Sequence, residues 1–77
     1  MTTTLDRSPL GASLTLVATR ASEDVARRLA ELGLRVGAML SCTQRTAGGG
    51  RIVAVDGSRI ALGRDLLQVI EVEPAGP

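Results

Sequence analysis

Residues 51–62, RIVAVDGSRIAL, hold two runs rich in Val, Ile and Ala on either side of the dipeptide Asp56-Gly57. β-branched residues favour strands, and Asp-Gly is a preferred pair for a two-residue hairpin turn. The stretch therefore predicts a β-hairpin in which Val55 faces Ser58 across the turn. We expect the core-facing side chains of this hairpin to include Ile52, Ala54, Ile60 and Leu62.

Three further segments have the pattern of strands. Residues 13–19, SLTLVAT, alternate apolar and polar side chains, which is typical of a half-buried strand. Residues 38–46, AMLSCTQRT, alternate on two mixed faces. Residues 67–73, LQVIEVE, follow a short turn over GRDL and place Ile70 and Val72 on one face. Each segment is short enough for a strand of a small domain.

Residues 22–33, SEDVARRLAELG, switch to the helical period, because Val25, Leu29 and Leu32 recur at i, i+4 and i+7. Ser22 is a suitable N-cap, since its hydroxyl can accept a hydrogen bond from a free amide of the first turn. The segment therefore predicts an amphipathic helix. Its apolar stripe is typical of a core face, and it could alternatively line a groove for a partner.

The stretch ELGLRVG, residues 31–37, holds two glycines four positions apart. Gly33 can end the helix in a left-handed conformation, after which Leu34 folds back onto the last turn. Gly37 then allows a tight turn into the next strand. We interpret the stretch as the connection that fixes the helix against the sheet.

The order of elements is one strand, one helix, a three-stranded meander, a turn and a last strand. Five short strands in so short a chain are too few for two packed sheets. They favour a mainly β fold: a small, strongly bent five-stranded barrel with the helix, between strands one and two, covering an open end. We expect a flexible leader over residues 1–9, one domain over 10–73 and a frayed C-terminus over 74–77.

Composition excludes several functions. The chain has no aromatic residue for base stacking, and nine basic residues are offset by eight acidic ones to a net charge of +1, so nucleic-acid binding is disfavoured. Without His and with a single cysteine, Cys42, the usual Zn or Fe ligand sets cannot form. We interpret Cys42 as a core residue and Gly48–Gly50 as a plain loop, and expect no cofactor, no metal site and no catalysis.

Several motifs together resemble the FeoA family of bacterial ferrous iron transport. They are LGASLTLV, RRLAELGLRVG, GGRIVAVDGSRIAL and GRDLLQVIEVE, over roughly residues 10–73. Val36 stands where the family often has proline. The resemblance implies an SH3-like barrel in a cytoplasmic protein, at work near the inner face of the membrane, and a link to transition-metal binding.

The resemblance also implies a partner, the cytoplasmic GTPase or pore region of a FeoB-like permease, which the protein would modulate without enzymatic activity. We expect the partner to contact the apolar helical residues and the leucine after them: Val25, Leu29, Leu32 and Leu34.

Two alternatives stay open. The first is an SH3-like regulatory or nucleic-acid-associated module unrelated to iron, with Arg27, Arg28, Arg35 and Arg51 as a basic edge. The second is weak self-association through the strand edges of an incompletely closed barrel.

Overall fold

The computed structural model describes residues 1–76 and contains six strands and two helices. The strands are β1 (Thr3–Thr4), β2 (Leu14–Thr19), β3 (Met39–Arg45), β4 (Arg51–Val55), β5 (Ser58–Leu62) and β6 (Ile70–Pro74). The helices are α1 (Glu23–Glu31) and the single turn α2 (Arg64–Leu67), with 3₁₀ turns at Leu5–Arg7 and Ala47–Gly49. The expectation of a mainly β fold with one substantial helix between the first long strand and the meander is confirmed.

The strands form one antiparallel sheet in the order β1-β6-β2-β3-β4-β5. The count is therefore six strands, not the expected five, because the short strand β1 precedes the others.

The pairing register of the sheet is irregular at two places. It shifts between Leu16 and Ala18 on β2 and between Cys42 and Gln44 on β3. Such irregularities bend a strand and let a small sheet curve around its core.

The N-terminal segment belongs to the packed domain. Thr3 and Thr4 pair with β6, and the side chain of Leu5 is completely buried. Ser8 is also buried, and its hydroxyl donates to the carbonyl oxygen of Leu5 at 2.8 Å. The structure therefore differs from the flexible leader expected over residues 1–9. In the sequence, Leu5 gives no periodic signal because its neighbours are mostly polar. In the structure, its burial ties the segment to the core.

The C-terminal end is also more ordered than expected. Pro74 is the last residue of β6, and the amide of Ala75 donates to the carbonyl oxygen of Ser13 at 2.9 Å. These contacts extend the sheet beyond residue 73, where we expected the domain to end. The expectation of fraying at Pro77 lies outside the described residues.

The hairpin has the predicted register, with Val55 opposite Ser58. The predicted inward face is right for Leu62, which is buried, and wrong for β4, where Val53 and Val55 are buried instead of Ile52 and Ala54. Residues directly opposite each other on antiparallel strands share a face. Ile60 lies opposite Val53 and packs against the core. Val53 therefore shares the inward face with Ile60, and Ile52 and Ala54 lie on the other face of β4.

The core is aliphatic and draws on nearly every element. Helix α1 contributes Leu29, and the residue after its end, Leu34, is also buried. Cys42 is fully buried as expected, with its sulfur 3.9 Å from the carbonyl oxygen of Leu5. The remaining buried hydrophobic residues are Leu5, Leu14, Leu16, Leu40, Val53, Val55, Leu62, Leu67, Ile70 and Val72.

Candidate partner-binding surface

The apolar stripe of α1 divides between the core and the surface. Leu29 and Leu34 are 3% and 1% exposed, so a partner cannot contact them without opening the domain. Val25 is partly buried against the same core, whereas Leu32 remains 49% exposed. Of the four predicted contact residues, therefore, Leu32 is the one that offers a large apolar surface.

The end of α1 explains why Leu32 points outward while Leu34 is buried. Gly33 has a φ of +97°, and the amides of Gly33 and Leu34 donate to the carbonyl oxygens of Ala30 and Leu29 at 3.0 and 2.8 Å. This pair of bonds is the Schellman motif, in which the residue after the glycine packs back onto the helix. The predicted helix ending is thus confirmed.

The following turn is held firmly to the sheet. The amide of Gly37, which has a φ of +91°, donates to the carbonyl oxygen of Leu16 at 2.8 Å, and the amide of Leu16 donates to Ala38 at 2.9 Å. A third bond, from the amide of Ala38 to the carbonyl oxygen of Arg35, closes the turn at 2.9 Å. Side chains in residues 35–38 are therefore presented by a fixed backbone.

Exposed apolar side chains concentrate in this connection. Val36 is 68% exposed and Met39 is 64% exposed, and both line a depression of about 660 Å³. We call Leu32, Val36 and Met39 the helix-exit surface. Among the described residues the other large exposed hydrophobic side chains are Met1 and Leu10.

Two charged residues also line the depression. Arg35 lines it from the turn, and Asp56 lines it from the hairpin, next to Val55. The hairpin lies close to the helix ending, because a Cβ placed on Gly33 would be 3.5 Å from the Cβ of Asp56. The depression thus combines apolar side chains with one basic and one acidic residue.

Sequence reasoning missed Val36 and Met39. Val36 is a lone apolar residue between Arg35 and Gly37, where no periodicity assigns a face. Met39 lies on the face of β3 opposite Leu40 and Cys42, and this alternation was a usable signal. The alternation could not show whether another element covers that face, and only the packed structure leaves Met39 uncovered.

The basic edge considered as an alternative does not form as expected. Arg51 is buried rather than surface-exposed, and Arg27 pairs with Asp24, with 3.2 Å between Nη2 and Oδ1.

A second surface ion pair joins Arg20 to Glu71. The hydrogen bond to the Glu71 carboxylate, and the charge of that carboxylate, raise the pKa of the Arg20 guanidinium further above its ordinary value.

Within residues 1–76 no group of three or more His, Cys, Asp or Glu side chains is placed to hold a metal ion. No described helix is long and apolar enough to cross a bilayer. What the structure presents is a small, mainly β domain with exposed apolar side chains on a hydrogen-bonded connection.

The family of this domain is shown by its sequence. Residues 3–74 match the model of the FeoA domain, so the chain belongs to the FeoA family, whose members are accessory proteins of ferrous iron transport. The match begins at β1, in agreement with the packed N-terminal segment. No curated protein sequence matches the chain significantly.

Solved structures agree with this assignment. FeoA from Chlorobium tepidum is 25% identical, with a TM-score of 0.87 over 96% of this chain and 71% of that one. FeoA from Stenotrophomonas maltophilia in complex with zinc is 29% identical, with a TM-score of 0.76 over 92% and 89% of the two chains. That protein is described as an SH3 domain protein with a suggested role as a ferrous iron transport activating factor.

A manganese-dependent transcriptional repressor is similar over part of its length. It is 25% identical, and the match covers 96% of this chain and 42% of the repressor, with a TM-score of 0.83. The SH3-like architecture expected from the resemblance is confirmed by these neighbours.

Proposed function

We propose that this protein is a non-enzymatic regulator of bacterial ferrous iron transport, and that it binds the cytoplasmic part of a FeoB-like, GTPase-linked permease through the helix-exit surface. The observation that carries the proposal is the exposure of Val36, on a turn hydrogen-bonded to β2, and of Met39, at the start of β3. Membership of the FeoA family supplies the iron-transport context. The protein would act in the cytoplasm, at the inner face of the membrane.

The residue types at this surface suit protein binding. Methionine adapts its shape to an apolar partner, and a fixed turn limits the conformational entropy lost on association. Arg35 and Asp56, which line the same depression, can orient a partner of complementary charge. Leu29 and Leu34, which we expected to contact the partner, would instead hold the surface in place from beneath.

The direct test is isothermal titration of the protein against the isolated cytoplasmic domain of the permease, with and without guanine nucleotide. We expect saturable binding that depends on the nucleotide. The variant Val36→Asp/Met39→Asp should weaken binding about tenfold or more, because it places two carboxylates where apolar contacts form.

The matched control is Ala61→Asp, which adds a carboxylate at an exposed position on β5. It should bind as the unaltered protein does. Equal affinity for the control and for the folded double variant would remove the helix-exit surface from the proposal. Absence of binding in every nucleotide state would contradict the partner itself.

Self-association remains a separate proposal. Strand β5 is an edge of the sheet and spans five residues, whereas the opposite edge, β1, spans two. An unpaired edge strand can pair with a second copy. Analytical ultracentrifugation over a concentration series tests this, and a mass that stays monomeric throughout would contradict it.

A further inference from the structure

A second region of the surface is cationic and has no assigned role. It lies where β3 ends and β4 begins, and it encloses about 430 Å³. We call it the arginine pocket. Its lining residues are Asp6, Arg45, Thr46, Gly48, Gly49, Gly50, Arg51 and Arg64.

Arg51 is a buried cation in this pocket without an anionic partner. Its residue is 7% exposed, and its Nη1 donates to the carbonyl oxygens of Leu5 and Ser8 at 3.2 and 2.7 Å. The ion pairs found among residues 1–76 join other side chains, Arg20 with Glu71 and Arg27 with Asp24. Burial of a charge against neutral oxygens alone is costly, so an external anion near Arg51 would be stabilised.

The neighbouring arginines add to this imbalance. Arg45 is the direct cross-strand partner of Arg51, and like charges in such a position repel each other. Arg64 reaches the pocket from α2 and lies over the glycine loop, because a Cβ on Gly49 would be 3.2 Å from its Cδ. Three arginines and one acidic residue, Asp6, therefore line a single pocket.

The glycine loop has a backbone that residues with a Cβ would adopt only with strain or overlap. Gly48 and Gly49 have φ values of +78° and +86°. A Cβ on Gly50 would lie 2.6 Å from Oγ1 of Thr46 and 2.7 Å from the carbonyl oxygen of Leu62. The three glycines, which we interpreted as a plain loop, thus permit a tight corner at the pocket's edge.

We propose that the arginine pocket binds the phosphate group of a soluble phosphorylated small molecule. Guanidinium groups match phosphate oxygens in geometry and charge. The chain has no aromatic side chain on which a base could stack, so recognition rests on the phosphate. The proposal goes beyond the proposed function, since the pocket lies at the opposite end of β3 from Met39, about 20 Å away at ~3.3 Å per residue.

The test is a ¹⁵N–¹H NMR titration of the whole protein with inorganic phosphate and then pyrophosphate, against sodium chloride at matched ionic strength. Saturable shifts of the amides of Gly48 to Arg51 and of Arg64 are expected, with those of Val36 and Met39 unchanged. The variant Arg45→Gln/Arg64→Gln should weaken binding about tenfold or more, because both arginines are exposed ligands and not core residues.

Arg59→Gln is the matched control, since Arg59 is exposed on β5 outside the pocket, and it should bind phosphate normally. Arg51 is left intact because it also holds Leu5 and Ser8. Shifts that rise linearly without saturation, or that persist in the folded double variant, would overturn the proposal.

A lipid headgroup could present the same phosphate chemistry. Sedimentation with phosphatidylcholine vesicles, with and without phosphatidic acid, separates the two sources. No recruitment by phosphatidic acid is expected, and recruitment that the double variant abolishes would overturn the assignment to a soluble ligand.

Discussion

The two ends of the β3–β4 pair differ in chemistry although they share the same two strands. At one end, Met39 and Val55 line the apolar depression beside the helix exit. At the other, Arg45 and Arg51 face each other in the arginine pocket. We propose a protein partner for the first surface and an anion for the second. The difference shows that the side chains at the two ends of one strand pair can give the ends opposite character, apolar at one and cationic at the other.

What lies beneath each end differs as well. A buried leucine, Leu34, supports the apolar end, whereas a buried arginine, Arg51, supports the cationic end. Four substitutions test this contrast through folding and binding.

Leu34→Asp should have the largest effect. It would bury a carboxylate in the core without a partner, at a cost of about 4 kcal/mol or more. For a domain of this size that cost approaches the whole free energy of unfolding. Circular dichroism should show a largely unfolded chain at 25 °C. Leu32→Asp, at an exposed position, is the control and should stay folded.

Arg51→Met should destabilise the domain by about 2–3 kcal/mol, because the carbonyl oxygens of Leu5 and Ser8 lose their charged donor. Urea denaturation measures the loss. When the variant is compared with the unaltered protein, hydrogen exchange should accelerate more in residues 3–8 than in β2. An unchanged free energy of unfolding would mean that the cost of burying the charge equals the gain from its hydrogen bonds.

Gly50→Ala should cost about 1–3 kcal/mol, because the added methyl group would overlap Thr46 and the backbone at Leu62. Gly63→Ala is the matched control: a Cβ there has no neighbour within 4 Å, and the φ of −73° suits alanine. Thermal unfolding compares the two. Equal melting temperatures would contradict the tight corner at the arginine pocket.

Val36→Ser should have the smallest effect on stability, within about 0.5 kcal/mol, because the side chain is largely exposed. The substitution should instead weaken binding to the permease domain, as measured by titration. A large loss of stability would show that Val36 supports the fold, and its exposure would then no longer argue for a partner.

Part of this structure followed from local sequence. Asp56-Gly57 predicted the hairpin and its register, and Ser22 and Gly33 predicted the two ends of α1; the structure confirms each one. These features are local, since a turn or a cap is set by a few neighbouring residues.

The two surfaces were less predictable. Leu32 was expected at the partner surface and is exposed, but Leu29 and Leu34 belong to the core. Val36, Arg45 and Arg64 carry no periodic signal that separates them from other surface residues, and the alternation of β3 placed Met39 opposite Leu40 without showing whether it is covered. Their significance depends on which elements cover them.

The sequence by itself determined the turns, the caps, the alternation of each strand and membership of the FeoA family. Only the tertiary structure decided that Leu5 closes the core, that Val53 rather than Ile52 faces inward, and that Arg45 and Arg51 stand side by side. The physical reason is distance along the chain. Turns and caps are formed by neighbours in sequence, whereas burial and charge pairing depend on segments that meet only after the sheet has assembled.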